Sequence, residues 1–171
     1  MLEVKNVKYS QFASEETMCF QCSVHWDGKK AAFAKNNGMG GETYIYWDDR
    51  EVQKTATEWA EKQPKIVTDI EESDGSMFSY PYSLESGIDV LVEEFLEKRD
   101  LRKVLRKDLV LHDPDLPRGE FYHWAFKKYP HMTLEDLKAG VRISRRKSGK
   151  KDGVFLNSLP FDEAFKIWRA A

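Results

Sequence analysis

Hydrophobic and polar residues alternate over Leu2-Glu3-Val4-Lys5-Asn6-Val7, which is the period of a half-buried strand. Two more strand-like runs, Met18 to Trp26 and Lys30 to Lys35, flank Asp27-Gly28. That dipeptide suits the positive φ angles of a tight hairpin turn. Ser10 to Thr17 reads as a polar connection between the first two runs. After Asn36-Asn37-Gly38-Met39-Gly40-Gly41, the segment Thr43 to Trp47 is rich in aromatic and β-branched residues. Together these runs predict a three- or four-stranded antiparallel meander.

The period then changes. Val52, Ala56, Trp59 and Ala60 fall on one helical face, with Asp48 and Glu51 spaced as a capping box and Gln63-Pro64 as the stop. Lys65 to Ile70 predicts a short strand, and Glu71 to Tyr82 an exposed loop. Leu84, Ile88, Leu91, Val92, Phe95 and Leu96 recur as one buried stripe, with Ser83 as its cap. The stripe loses phase at Arg99. Asp100 is then expected to cap a second, short helix with Leu101, Val104 and Leu105 inward and Arg102, Lys103 and Arg106 outward. Leu109 to Leu111 reads as a strand, Asp113 to Gly119 as a proline-bearing loop, and Phe121 to Phe126 as either helix or strand. Thr133 and Asp136 can cap a helix that stops at Gly140. Val141-Arg142-Ile143 and Val154-Phe155-Leu156 are then expected as strands joined by a basic hairpin loop. A closing helix over about 160–169 carries Phe161, Ala164, Phe165 and Trp168 on one face. The predicted fold is a single α+β domain over 1–171, its N-terminal meander packed by the helices at 84–98 and 160–169.

Composition sharpens this in one respect. A chain of 171 residues, 41% hydrophobic and 13% aromatic, can bury a real core. The net charge of −2 conceals a division: residues 1–97 carry 9 Lys+Arg against 19 Asp+Glu, and residues 98–151 carry 16 against 7. The first stretch is therefore at −10 and the second at +9, poles that focus opposite potentials. No apolar run reaches membrane-spanning length, and the first residues lack the basic and apolar regions of a signal peptide. A cytoplasmic location is the resulting expectation.

Candidate chemistry is sparse. Cys19-Phe20-Gln21-Cys22 with His25 invites a zinc or redox reading, but side chains three apart on a strand point to opposite faces. Two small thiols in a sheet is the reading preferred. His112, Asp113, Asp115 and Glu120 could ligate a divalent cation, yet Asp, Pro and Gly together are what any turn contains. No Gly-x-Ser-x-Gly elbow occurs. No catalytic residue, metal or cofactor is therefore assigned. The loop Asn36, Asn37, Gly38, Gly40 and Gly41 can bare backbone N–H groups to an anion, or simply make a tight connection. The strongest signal is basic: Arg142, Arg145, Arg146, Lys147, Lys150 and Lys151 lie within ten residues, and Arg102, Lys103 and Arg106 add a helix face.

Three stretches resemble a family of uncharacterised small proteins of bacteriophages and prophages. They are Ser10-Gln11-Phe12-Ala13-Ser14-Glu15-Glu16-Thr17, Asn36-Asn37-Gly38-Met39-Gly40-Gly41, and Leu159-Pro160-Phe161-Asp162-Glu163-Ala164. Residues 65–150 carry no part of the resemblance. The family's loop usually reads Asn-Asp-Gly-His-Gly-Gly, so Asn37 and Met39 stand here for the ionisable groups, and backbone shape is what the glycines supply. The resemblance implies an accessory protein in a bacterial host that binds, and in some cases inhibits, a host factor. The expected partner is a host protein met through one charged pole. The alternative is a nucleic acid or phosphorylated ligand on the basic loop 142–151, with Tyr122, Trp124 and Tyr129 to stack bases. A metal-dependent hydrolase built on His112, Asp113 and Asp115 is the third reading.

Overall fold

Four strands open the chain: β1 (Leu2–Tyr9), β2 (Cys19–Trp26), β3 (Lys29–Asn37) and β4 (Tyr44–Trp47), paired antiparallel in the order β1-β2-β3-β4. They are seen in a computed structural model that describes the backbone of residues 1–171 and every side chain except that of Asp69. The hairpin between β2 and β3 turns on Asp27 and Gly28, at φ 47° and 80°, the double positive φ that an Asp-Gly pair accommodates. One face of the sheet is buried through Phe20, Cys22, Val24, Ala32 and Ala34. Trp26 reaches from that face to Trp59 of α1 (Arg50–Ala60), ring centroids 5.4 Å apart and edge-on, and Trp59 meets Tyr82 at 5.7 Å. Ala56 and Ala60 let α1 approach, being almost wholly buried.

Two details here differ from expectation. The cap of α1 is Asp49, whose carboxylate accepts from Glu51 N and Val52 N, and not Asp48. The segment 71–82 is not all loop: β5 (Ile66–Glu71) pairs with β6 (Met77–Tyr80) around Gly75 at φ 82°. The polar residues that read as a loop are this hairpin's turn and its exposed strands.

α2 (Leu84–Lys107) is one uninterrupted helix, and no second helix starts at Asp100. Ser83 and Ser86 cap its start reciprocally, each side chain taking the other's backbone N–H. Val92 and Leu101 are both fully buried, yet nine residues is about two and a half turns, so they lie on opposite sides of the helix. The hydrophobic stripe changes face while the backbone continues. The chain divides at this point into two compact units, Met1–Phe95 and Leu96–Ala171.

The second unit is built on β7 (Asp108–His112), flanked antiparallel by β8 (Tyr122–Ala125) and β9 (Val154–Phe155). Leu109, Val110 and Leu111 are all fully buried, as an unalternating apolar run should be when both sheet faces are covered. Val110 packs with Leu101, Leu156 and the residues Ala164 and Phe165 of α4 (Phe161–Ala170). Leu109 and Leu111 pack on the other side with Phe155 and with Leu137 and Val141 of α3 (Leu134–Lys147). The closing helix thus belongs to this unit's core, whereas the sequence had assigned it to the meander. Asn157 clamps the layers: its Oδ1 accepts Val110 N at 2.8 Å, and its Nδ2 donates to the carbonyls of Leu105 and Asp108.

α3 overturns another expectation. It runs through Gly140 to Lys147, so the strand at 141–143 and the basic hairpin loop do not exist. Thr133 and Asp136 form the expected capping box. The helix ends instead at Gly149, φ 72°, where Gly149 N bonds Arg146 O and Lys150 N bonds Arg145 O. That pair of bonds is a Schellman termination. A mid-helix glycine costs only about 1 kcal/mol relative to alanine, and burial of Leu137 and Val141 outweighs it.

Candidate functional site

Four of the six clustered cations occupy the last turns of α3, where positive side chains also suit the helix dipole. Arg145 is not a surface cation. It is buried, donates from Nη2 to Asp113 Oδ2 at 2.6 Å, and donates from Nε and Nη2 to the Lys151 carbonyl at 2.9 and 2.7 Å. It therefore ties the end of α3, the turn at 149–151 and the loop after β7 to one another. The Arg145 hydrogen bond, helped by one from Asp115 N, holds the Asp113 carboxyl below the usual carboxylate range. Solvent displacement opposes this more weakly, since the pair lies just beneath the surface.

Around that anchor stand Arg142, Arg146, Lys147, Lys150 and Lys151, all exposed. Arg142 lies over the Phe155 ring at 5.3 Å, and Lys150 donates to the Tyr122 hydroxyl at 3.0 Å. Arg146 pairs with Asp152 at 2.7 Å. Asp152 also lies in the field of Arg142 and Arg145. Arg102, Lys103 and Arg106 form a separate group on α2, over the opposite layer of the three-stranded sheet. There Arg102 covers the Phe161 ring at 4.2 Å and Lys103 pairs with Asp100 at 3.0 Å. The sheet keeps the two groups from forming one surface. Tyr122, Trp124 and Tyr129 are partly buried against the core of the second unit, and Lys150 and Arg145 cover the Tyr122 ring.

The glycine loop is a clasp within the first unit. The Gly38 carbonyl accepts from Glu15 N, Glu16 N and Thr17 N. A Cβ on Gly38 would collide with the Ala13 carbonyl and stand 2.8 Å from Cys19 Cβ, and its φ is 83°. Buried Asn36 accepts from Gly38 N and Thr17 Oγ1, and donates to the Gly41 carbonyl and Thr43 Oγ1. Thr43 passes the chain of bonds to Asp89 of α2 at 2.6 Å. Burial raises the Asp89 carboxyl above its ordinary range, with Glu85 adding to the rise and the Thr43 bond opposing it. Burial, and then the Asp89 charge, push the Cys22 thiol up to about 11. Glu15, Glu16 and Asp89 line the adjoining cavity of about 470 Å³, an acidic neighbourhood that repels phosphate. Asn37 and Met39 point to solvent. The loop thus presents a carbonyl to its own chain, with the Gly38 N–H already taken.

Cys22 is buried on the inner sheet face and Cys19 is half-buried on the other, both free. Among the described residues no three His, Cys, Asp or Glu side chains converge as metal ligands. The third reading loses its central carboxylate, because Asp113 is engaged by Arg145. Sequence reasoning missed an apolar cavity of about 520 Å³ in the second unit, walled by Leu105, Phe126, Tyr129, Met132, Leu134 and Phe161. Its hydrophobic residues come from three separate stretches, 105, 126–134 and 156–161, which only the fold brings together. Among the described residues no helix is long and apolar enough to cross a membrane. No family model, curated protein or solved structure matches this chain.

Proposed function

We propose that this is a binding protein of the phage accessory kind, acting in a bacterial host without catalysis of its own. Its contact surface is the exposed basic end of α3, Arg142, Arg146, Lys147, Lys150 and Lys151, and its partner is an acidic surface on a host protein. The observation that carries this reading is the buried Arg145–Asp113 pair with its bonds to the Lys151 carbonyl. That anchor holds the turn in place, so little backbone entropy is lost when the surrounding cations meet a partner. A nucleic acid at the same end is less well served, because the nearby aromatic rings are packed or covered.

The test is a pull-down from bacterial lysate, followed by binding to the identified partner in purified form. The comparison is with a triple variant, Arg142→Glu, Arg146→Glu and Lys147→Glu, which leaves Arg145 in place. A stoichiometric acidic protein is expected, lost in the variant and weakened by salt as exposed charges are screened within about 8 Å at physiological ionic strength. No retained protein, or equal retention by the variant, would sink the proposal.

A further inference from the structure

The outward face of the meander carries a second feature, one that belongs to neither the α3 end nor the glycine clasp. Strand register aligns its side chains in rows. One row is Lys8, Gln21, Lys35 and Tyr44; the next is Lys5, Ser23, Phe33 and Tyr46; a third holds Glu3, His25 and Lys30. Three large rings in these rows stand in water: Phe33 is 37% exposed, Tyr44 57% and Tyr46 52%. Phe33 and Tyr46 form a cross-strand pair with centroids 6.2 Å apart, and Lys35 Nζ lies 5.7 Å above the Tyr46 ring.

The charge of this face reverses that of its surroundings. Residues 1–97 as a whole stand at −10, yet the rows hold four lysines against the single Glu3, a local balance of +3. Glu3 is itself 3.2 Å from Lys5. The other acids of the first half lie outside these strands, in connections, turns, helices and the β5–β6 hairpin. At one end of the face, Lys8, Gln21, Lys35 and Asn37 border an open cavity of about 280 Å³.

We propose that this face binds single-stranded nucleic acid. Exposed rings flanked by lysines supply the two things an unpaired strand needs: flat surfaces for its bases and cations for its phosphates. Tyr44 and Tyr46 are two residues apart on one strand, hence about 6.8 Å, so each can take its own base. Gln21, between Lys8 and Lys35, and Ser23, between Lys5 and Phe33, offer hydrogen bonds to base edges or sugars. A duplex keeps its base faces stacked and has nothing to offer the rings. The acidic surroundings repel phosphate elsewhere and confine a bound strand to the lysine rows. This inference uses none of the α3 residues and stands whether or not a protein partner binds there.

The experiment is fluorescence anisotropy with a labelled oligothymidylate and oligouridylate of about 15 nucleotides, within the site size of such platforms, beside a duplex of equal length. Both single strands should bind and the duplex at least tenfold more weakly. Affinity should fall between about 50 and 200 mM salt, with a slope near −0.7 for each phosphate neutralised. Tyr46→Ala should weaken binding about tenfold, Tyr46→Phe should restore it, and Lys8→Glu with Lys35→Glu should abolish it. The α3 charge-reversal variant should bind as the wild type does. The proposal is overturned by absent single-strand binding, by equal duplex binding, or by unchanged affinity in Tyr46→Ala. Loss of binding in the α3 variant, or competition by poly-glutamate as strong as by the oligonucleotide, would overturn it too.

Discussion

Replacing Asp113 by Asn tests the anchor on which the basic end of α3 depends. The carboxylate does two jobs: Oδ2 receives Arg145 Nη2 at 2.6 Å, and Oδ1 receives Asp115 N at 3.1 Å. An amide has one oxygen, so one donor must be left facing an NH2 group, and the charge of Arg145 is no longer met. Breaking a buried pair from one side costs roughly 3–5 kcal/mol. Arg145 keeps the Lys151 carbonyl, which argues for the lower end, about 3 kcal/mol. For a chain of this length that is a fall in Tm of roughly 6–12 °C. Native-state hydrogen exchange of amides in β7 and α3 should accelerate about 100-fold, since 1.36 kcal/mol is a factor of ten. The pH dependence has a definite sign. A carboxyl held low in the folded state stabilises fully above its unfolded value of about 3.9, and the contribution disappears as pH drops through the lower, folded value. Wild type and variant should therefore converge in strong acid. The double variant Asp113→Leu with Arg145→Met removes both charges together with the donors to the Lys151 carbonyl and the acceptor of Asp115 N, and it should cost less than the two single replacements added together. An Asp113→Asn variant that costs under about 1 kcal/mol, or a double variant that costs as much as the two single replacements added together, would refute the reasoning.

Two further outcomes follow from the first unit. Gly38→Ala must hold a positive φ, costing about 1–2 kcal/mol, and must push away the Ala13 carbonyl and with it the three N–H groups on Gly38 O. At about 1 kcal/mol per lost bond the total is about 4 kcal/mol, read by urea unfolding and by faster proteolysis within 11–17; a loss under about 1 kcal/mol would contradict the clasp. Asp89→Asn keeps an acceptor for Thr43 and removes a buried charge. Because the Asp89 pKa is raised, the native state holds the proton longer than the unfolded chain does, and wild-type stability declines as pH climbs from the unfolded value through the folded one. Thermal melts should show the variant more stable at neutral pH and free of that decline, and a less stable variant would refute the assignment.

The local signals were strong where one short stretch carries its own instructions. Asp27-Gly28 suits a turn with positive φ whatever surrounds it, and the turn is there. Leu109-Val110-Leu111 reads as a strand, which it is, and the structure covers it on both faces. The same logic failed where two local signals competed. Gly140 followed by Val141-Arg142-Ile143 looks like a stop and a strand, but the energy that decides is the burial of Leu137 and Val141 against β7, contributed by residues about 30 positions away. The stripe of α2 breaks phase at Arg99 because the helix changes which side it buries, which a periodicity count cannot distinguish from an end.

Charge shows the division most clearly. From the sequence alone follow the −10 and +9 halves, the meander, the clustered cations and the absence of a catalytic motif. Tertiary structure decided what each charge does. Arg145, one of a run of similar cations, became a buried strut because Asp113 lies beside it in space though 32 residues away in sequence. The basic residues of α2 and α3 were put on opposite layers because β7 runs between them. The lysines of β1 and β3 became one positive face because strand pairing aligns side chains across the chain, and pairing partners are set by register, which no single strand contains.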